Sequence, residues 1–156
     1  MVFWPLHGIG RRFTEKTLYK PPVPVRSLGP RFRRSLHCWA VDAGCDNFLN
    51  FIVQALQTPQ YNSHRFGIFW ADTPRHADVI ILLGPPLPAL EGALRNTIEQ
   101  IPRPRGILAI GGNEETWRSI VDFDELLAVL PEETGPQDLL GALLAAKGTI
   151  QWGVHP

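Results

Sequence analysis

Short apolar runs alternate along this chain with stretches whose apolar residues recur every three or four positions. The clearest run is Val79–Leu83, with Ala77 just before it and Gly84 closing it. Its length, β-branching and glycine stop predict a strand buried on both faces, as in the middle of a parallel sheet. Arg75, His76 and Asp78 hold charge at its amino end. Residues 35–41, 66–70, 106–110 and 126–130 read as further strands, closed by turn residues such as Asp42-Ala43-Gly44 and Gly111-Gly112. Helical spacing predicts a helix over 46–57, where Leu49, Ile52, Val53 and Leu56 share a face and Asp46 caps the start. A second covers 87–100, a short third 114–121, and a last one 136–147, with Pro136 near its start.

Strands alternating with helices imply an α/β sandwich, a parallel sheet covered on both faces through right-handed crossovers. Sites in such sheets lie at the carboxyl ends of the strands, near a topological switch point. Those ends are the loops 42–47, 84–88, 111–115 and 131–135, and chemistry is expected among them.

Residues 1–34 break the pattern. Pro5, Pro21, Pro22, Pro24 and Pro30 disfavour helix and central strand alike. Phe3, Trp4, Leu6, Phe13, Leu18 and Tyr19 are too many apolar residues for a plain linker. An extended, proline-rich N-terminal arm laid over another surface fits both facts, followed by one domain over 35–156. The net charge of zero hides an asymmetry that sharpens this division. The arm holds Arg11, Arg12, Lys16, Lys20, Arg26, Arg31, Arg33 and Arg34 against Glu15, whereas residues 114–138 carry eight carboxylates against Arg118. Two solvated surfaces would explain the asymmetry, and so would an arm that docks on an acidic partner or an anionic membrane surface. No helix-turn-helix, aromatic RNA-binding or zinc pattern accompanies the charge, so nucleic acid is not an expected partner.

A chain of 156 residues, 44% hydrophobic and 19% charged, has the composition of a globular protein with a real core. No apolar run approaches the roughly 20 residues that span a bilayer. Residues 1–9 are interrupted by Pro5 and His7 and lead into Arg11-Arg12, unlike a secretory leader, so cytoplasmic residence is the expectation. Cys38 and Cys45 do not form a Cys-x-x-Cys pair and predict neither a disulfide framework nor a zinc site.

A family resemblance emerges from several stretches together. Ser35-Leu36-His37, then Val41-Asp42-Ala43-Gly44, Tyr61-Asn62, Arg65-Phe66-Gly67-Ile68 and above all Pro74-Arg75-His76-Ala77-Asp78-Val79 with Gly84-Pro85 carry it. Ile101-Pro102-Arg103-Pro104 before the next strand adds to it. The chain resembles, over about residues 35–146, the small iron–sulfur subunit shared by respiratory complex I (the 20 kDa or B subunit) and membrane-bound [NiFe] hydrogenases of the formate hydrogenlyase type. The hydrogenase branch fits better. The resemblance implies a flavodoxin-like fold and a single [4Fe–4S] cluster held by four cysteines at the strand ends named above.

At those four positions the chain departs from the pattern. The family's Cys-x-x-Cys after the first strand falls on Asp46 and Leu49, the third ligand near Asn113 and the fourth near Glu132. Cys45 is one residue away from a ligand position. Cluster iron needs soft thiolates, which Asp, Leu, Asn and Glu do not supply. The expectation is a cluster-less member with no cofactor and no activity of its own. Such a chain would be a structural subunit, peripheral on the inner face of the membrane. A large-subunit homologue and antiporter-like membrane subunits are the partners implied, with Arg75, His76, Arg11, Arg12 and Trp39 as interface candidates. An electron-transfer component with an atypical cluster, or a free-standing regulatory domain, remain as other readings.

Other constellations each have a plainer account. Asp46, Asn113, Glu114, Glu115, Glu132 and Glu133 would suit a hard divalent ion if they converged, or else cap helices and face solvent. Gly111-Gly112-Asn113 would cradle an anion, or serve close strand-to-helix packing. His37, His64 and His76 suggest proton handling or structure. Cys45 is a lone thiol without a matched base. Trp4, Trp39, Trp70, Trp117 and Trp152 are core or interface anchors, and Trp39 suits a docking face if it points outward.

Overall fold

The computed structural model describes residues 19–148. Strands β1 (Leu36–Asp42), β2 (Ile68–Trp70), β3 (Val79–Leu83), β4 (Gly106–Ile110) and β5 (Leu126–Leu130) form one sheet in the order β2-β1-β3-β4-β5. Every neighbouring pair is parallel. The connections carry helices α1 (Phe48–Ala55), α2 (Glu91–Glu99) and α3 (Glu114–Trp117), and α4 (Pro136–Ala146) follows β5.

Side chains alternate between two apolar layers, as the pleat requires. Val79, Ile81 and Leu83 of β3 join Leu108 and Ile110 of β4 beneath α1 and α4. Ile80 and Leu82 join Ile107 and Ala109 beneath α2 and α3. All five residues of β3 are buried, the condition an unbroken apolar run meets only in a sheet covered on both faces. The result is the predicted three-layer α/β sandwich, with the doubly wound strand order of flavodoxin-like folds.

Several elements are shorter than their apolar patterns. The helix expected over 46–57 begins at Phe48, because Asn47 takes a left-handed φ of 75° and serves as its N-cap. Asp46 still receives the Phe48 N–H through Oδ1, at 3.2 Å. The strand expected from 66 starts at Ile68, since Ser63–Phe66 winds into a 3-10 turn that Gly67 ends at φ 71°. Pro88–Leu90 is likewise a 3-10 turn ahead of α2. In α3 the regular helix stops at Trp117, although Ile120 and Val121 both still donate to the Trp117 carbonyl.

The surface under residues 19–34 is the chain's own. Tyr19 and Phe32 are buried in the α1/α4 layer. Lys20 and Pro21 cross α4 at Gly141, where a Cβ would stand 2.6 Å from the Lys20 carbonyl carbon. Further on, the Arg26 N–H donates to Leu127 O at 3.0 Å along the open edge of β5, and Leu28 donates to Ala146 O. The Arg26 guanidinium also binds the carbonyls of Leu126 and Phe123. This strap covers an edge strand that would otherwise present unpaired backbone groups.

Lys147, 3% exposed, donates its ammonium to the Phe66 carbonyl and ties the end of α4 to the approach to β2. Burial pulls its pKa below the ordinary 10.5. The unfolded chain therefore holds this proton more tightly than the folded one, and stability rises with pH through the window that ends near 10.5. Lys147→Met is expected to remove that alkaline gain, seen as a flatter pH dependence of unfolding free energy than in the wild type. An unchanged profile would show that the ammonium reaches water in the folded state.

Candidate functional site

The strand order reverses between β1 and β3, and the loops at their carboxyl ends meet there. They meet without a gap. Gly84, at φ 81°, lies so close to Cys45 that an added Cβ would stand 2.5 Å from its backbone nitrogen. One at Gly44 would stand 2.4 Å from the Pro85 carbonyl oxygen. From the neighbouring strands, Gly111 brings its backbone against the Glu132 side chain and Pro85. The structure thus gathers Cys45, Gly84, Pro85, Gly111 and Glu132 at one end of the sheet.

The donor set there does not fit a four-thiolate cluster. Asp46 is exposed and turned to the Phe48 N–H. Leu49 is 4% exposed and belongs to the core under α1. The Asn113 Oδ1 caps α3, accepting the Thr116 N–H and hydroxyl at 2.8 Å each. Glu132 offers a hard carboxylate from an exposed position. Glu114, Glu115 and Glu133 are exposed too, and among the described residues no group of three His, Cys, Asp or Glu is assembled for a metal ion.

Cys45 is half-buried, and its sulfur accepts from Asn50 Nδ2 at 3.5 Å. Burial pushes the thiol pKa up, and the Asp42 carboxylate adds to this against the opposing N–H groups of Asn47 and Asn50. Partial burial would raise Asp42 itself. The N–H groups of Cys45 and Gly44, each 2.8 Å from Oδ1, outweigh it and hold the carboxyl below the usual range. Cys38 is wholly buried in β1, where burial and Asp78 push its thiol up strongly. Iodoacetamide at neutral pH is therefore expected to label Cys45 more slowly than an unfolded thiol, and Cys38 only after unfolding. Mass spectrometry of native and urea-treated protein checks this, and native labelling of Cys38 would contradict its burial.

The other candidates lie away from this end. Arg75 and His76 are exposed in the 3-10 turn Pro74–His76, at the amino end of β3. Asp78 Oδ2 takes the His37 backbone N–H at 2.9 Å and lies 3.2 Å from its Nδ1. His37 stacks on Phe69, and His64 tilts against the same ring. Trp39 is half-buried against the α2/α3 layer, and its Nε1 is buried without an acceptor. Arg11, Arg12, Trp4 and Trp152 lie outside the described residues. The sequence reading missed the exposed Phe48, Phe51, Leu87 and Phe123. For Phe48 and Phe51 the signal was their spacing of three, beside the buried stripe of one helix. It also missed a cavity of about 460 Å³ between the strap and β5, lined by Val23, Arg26, Asn113, Phe123 and Ala128 among others.

A doubly wound α/β domain, closed at its switch point and offering one hindered thiol there, is the class that fold and site define. No protein-family model matches the chain. Over 78 residues, 50% of this chain and 47% of the relative, it is 33% identical to the "probable membrane-bound hydrogenase subunit mbhJ" of Pyrococcus furiosus. Over 85 residues, 54% of this chain and 33% of the relative, it is 28% identical to formate hydrogenlyase subunit 7 of Escherichia coli. The chain thus spans half the length of these curated relatives or less. Among solved structures, its fold is similar to a chain of the membrane-bound sulfane sulfur reductase, an archaeal respiratory membrane complex. The TM-score is 0.56 at 23% identity, covering 80% of this chain and 75% of that one. No helix among the described residues is long and apolar enough to cross a membrane.

Proposed function

We propose that this protein is a structural subunit of a membrane-associated assembly of the hydrogenase or complex I type, taking the place of the iron–sulfur small subunit without carrying its cluster. The observation that carries the reading is the residue set at the carboxyl ends of the strands, set against the similarity to hydrogenase and hydrogenlyase subunits. Asp46, Leu49, Asn113 and Glu132 stand at the ligand positions, each engaged in capping or core packing or bearing only a carboxylate. Iron in such a cluster takes thiolates, and the one thiol nearby is disfavoured as thiolate by burial. The scaffold is kept and the chemistry is left to other subunits.

In this reading the domain packs against a large-subunit homologue and sits peripherally over antiporter-like membrane subunits, on the cytoplasmic side. Arg75 and His76, both exposed and outside the ion pairs of the described residues, are the polar contacts it offers from the amino end of β3. Anaerobic purification of the native protein in mild detergent, with iron and acid-labile sulfide measured on the complex and on the isolated chain, tests the proposal. Co-migration with membrane proteins and background iron on the chain are expected. Near-stoichiometric iron and sulfide, with visible-region absorbance, would favour an electron-transfer subunit instead. A lone monomer in native extracts would remove the assembly.

A further inference from the structure

Strand β1 outruns one of its neighbours. β2 pairs with it only over Leu36–Cys38, where Trp70 is already level with Cys38, whereas β3 pairs with it as far as Asp42. Successive residues of a strand turn their N–H and C=O groups to opposite sides. The Leu36 N–H reaches Gly67 O and Cys38 O receives the Ala71 N–H, each at 2.9 Å, so the even-numbered residues of β1 face β2. His37 O receives the Asp78 N–H and the Ala43 N–H reaches Leu83 O, so the odd-numbered ones face β3. Ala40 and Asp42 therefore aim their backbone groups past the end of β2. Among the described residues neither has a backbone partner on that side.

The side chains around this notch define what fits it. Trp39, Ala40 and Val41 are half-buried, whereas every residue of β3 and β4 is buried. Asp72 is exposed just past the last β2 bond, and Asp42 and Asp46 are exposed at the other end. None of the three is in an ion pair of the described residues, and the stretches 42–47 and 71–73 contain no Lys or Arg. A second copy joined edge to edge would bring two sets of these carboxylates together, and like charges opposed on paired strands repel. The charge instead suits a basic strand.

We propose that Ala40–Asp42 of β1 is a docking edge for an extended segment of a partner protein, which adds as a strand in line with β2. Main-chain bonds to Ala40 and Asp42 hold it, as in other cases of strand addition. Its apolar side chains lie on the face of Trp39 and Val41, and its Lys or Arg side chains lie on the face of Ala40 and Asp42, within the ring of carboxylates. This inference goes beyond the assembly reading and does not rest on it.

Amide hydrogen exchange in the full-length protein tests it, with and without the probe peptide Lys-Val-Lys-Val-Lys blocked at both ends. Alternation puts the valines on one face of that strand and the lysines on the other. In the free protein the Ala40 and Asp42 amides should exchange at least about tenfold faster than those of Trp39 and Val41, which bond to β3. The peptide should slow both, and the same peptide with Glu for Lys should not. Ala40→Pro should abolish binding, since an edge tolerates proline where its N–H is unpaired but a partner strand does not. Asp46→Lys with Asp72→Lys should weaken binding several-fold while leaving the backbone edge intact. Slow exchange at Ala40 in the free protein at every concentration would overturn the proposal, because the chain would then cover its own edge. Slowing that sets in with protein concentration would overturn it in favour of a second copy. A lysine peptide that leaves both amides fast, or a glutamate peptide that protects them equally, would overturn it as well.

Discussion

Trp117→Ala is expected to lower the folding stability by about 3–5 kcal/mol, the range for a buried aromatic truncated in a core. Trp117 is fully buried at the end of α3, a helix of only four residues. So short a helix has no stability of its own and is held by packing. The indole sits in the layer with Ile107, Ile120 and Val121, and its Nε1 donates to the Gly111 carbonyl at 2.9 Å. It therefore anchors the helix and also the loop that leaves β4. Thermal and urea unfolding should both show the loss, at about 2–4 °C per kcal/mol for a chain of this size. Trp117→Phe keeps most of the packing and leaves the carbonyl unpaired, for an expected loss of about 1–3 kcal/mol. A Trp117→Ala variant within about 1 kcal/mol of the wild type would mean that α3 and its loop are held by something other than this indole.

Gly84→Ala is the second change with a large expected effect, about 3 kcal/mol. Roughly 1–2 of this comes from placing an L side chain at a left-handed φ. The rest is overpacking, because the new Cβ would lie 2.5 Å from the nitrogen and 2.7 Å from the Cα of Cys45. That neighbour is backbone and has no rotamer through which to yield. Gly92→Ala is the control of opposite sign. Gly92 lies inside α2, and a Cβ there would meet nothing within 4 Å, so alanine should gain about 0.5–1 kcal/mol. Gly84→Ala should also speed alkylation of Cys45, since the two loops can relax only by parting. A stable variant with unchanged thiol reactivity would contradict the close meeting of the loops at the switch point.

The elements most legible in the sequence were those whose bounds follow from the apolar pattern alone. Val79–Leu83, Gly106–Ile110 and Leu126–Leu130 are strands over the residues expected of them. The last helix, expected over 136–147, runs Pro136–Ala146. Errors fell where backbone conformation, rather than hydrophobicity, set the boundary. Asn47 at a left-handed φ delays α1, and Gly67 with its 3-10 turn shortens β2. Apolar periodicity carries no record of either. Of the site, the sequence named the loops at the carboxyl ends of the strands, which the structure brings together. It placed Leu49 on the apolar face that the structure buries, but it did not show that the Asn113 side chain accepts the Thr116 N–H as the cap of α3.

Two properties follow from the amino-acid sequence by itself. One is the α/β class, because alternation and periodicity are local and the chain can bury such runs only in a two-sided parallel sheet. The other is that the two cysteines, Cys38 and Cys45, form no Cys-x-x-Cys pair, which is a matter of residue identity. Tertiary structure alone decided which loops touch, and how closely. Gly84 against Cys45, Gly111 against Glu132, and the strap over α4 and the edge of β5 each join residues far apart in the chain. Such contacts depend on strand order and on the size of single side chains, and no local pattern encodes those.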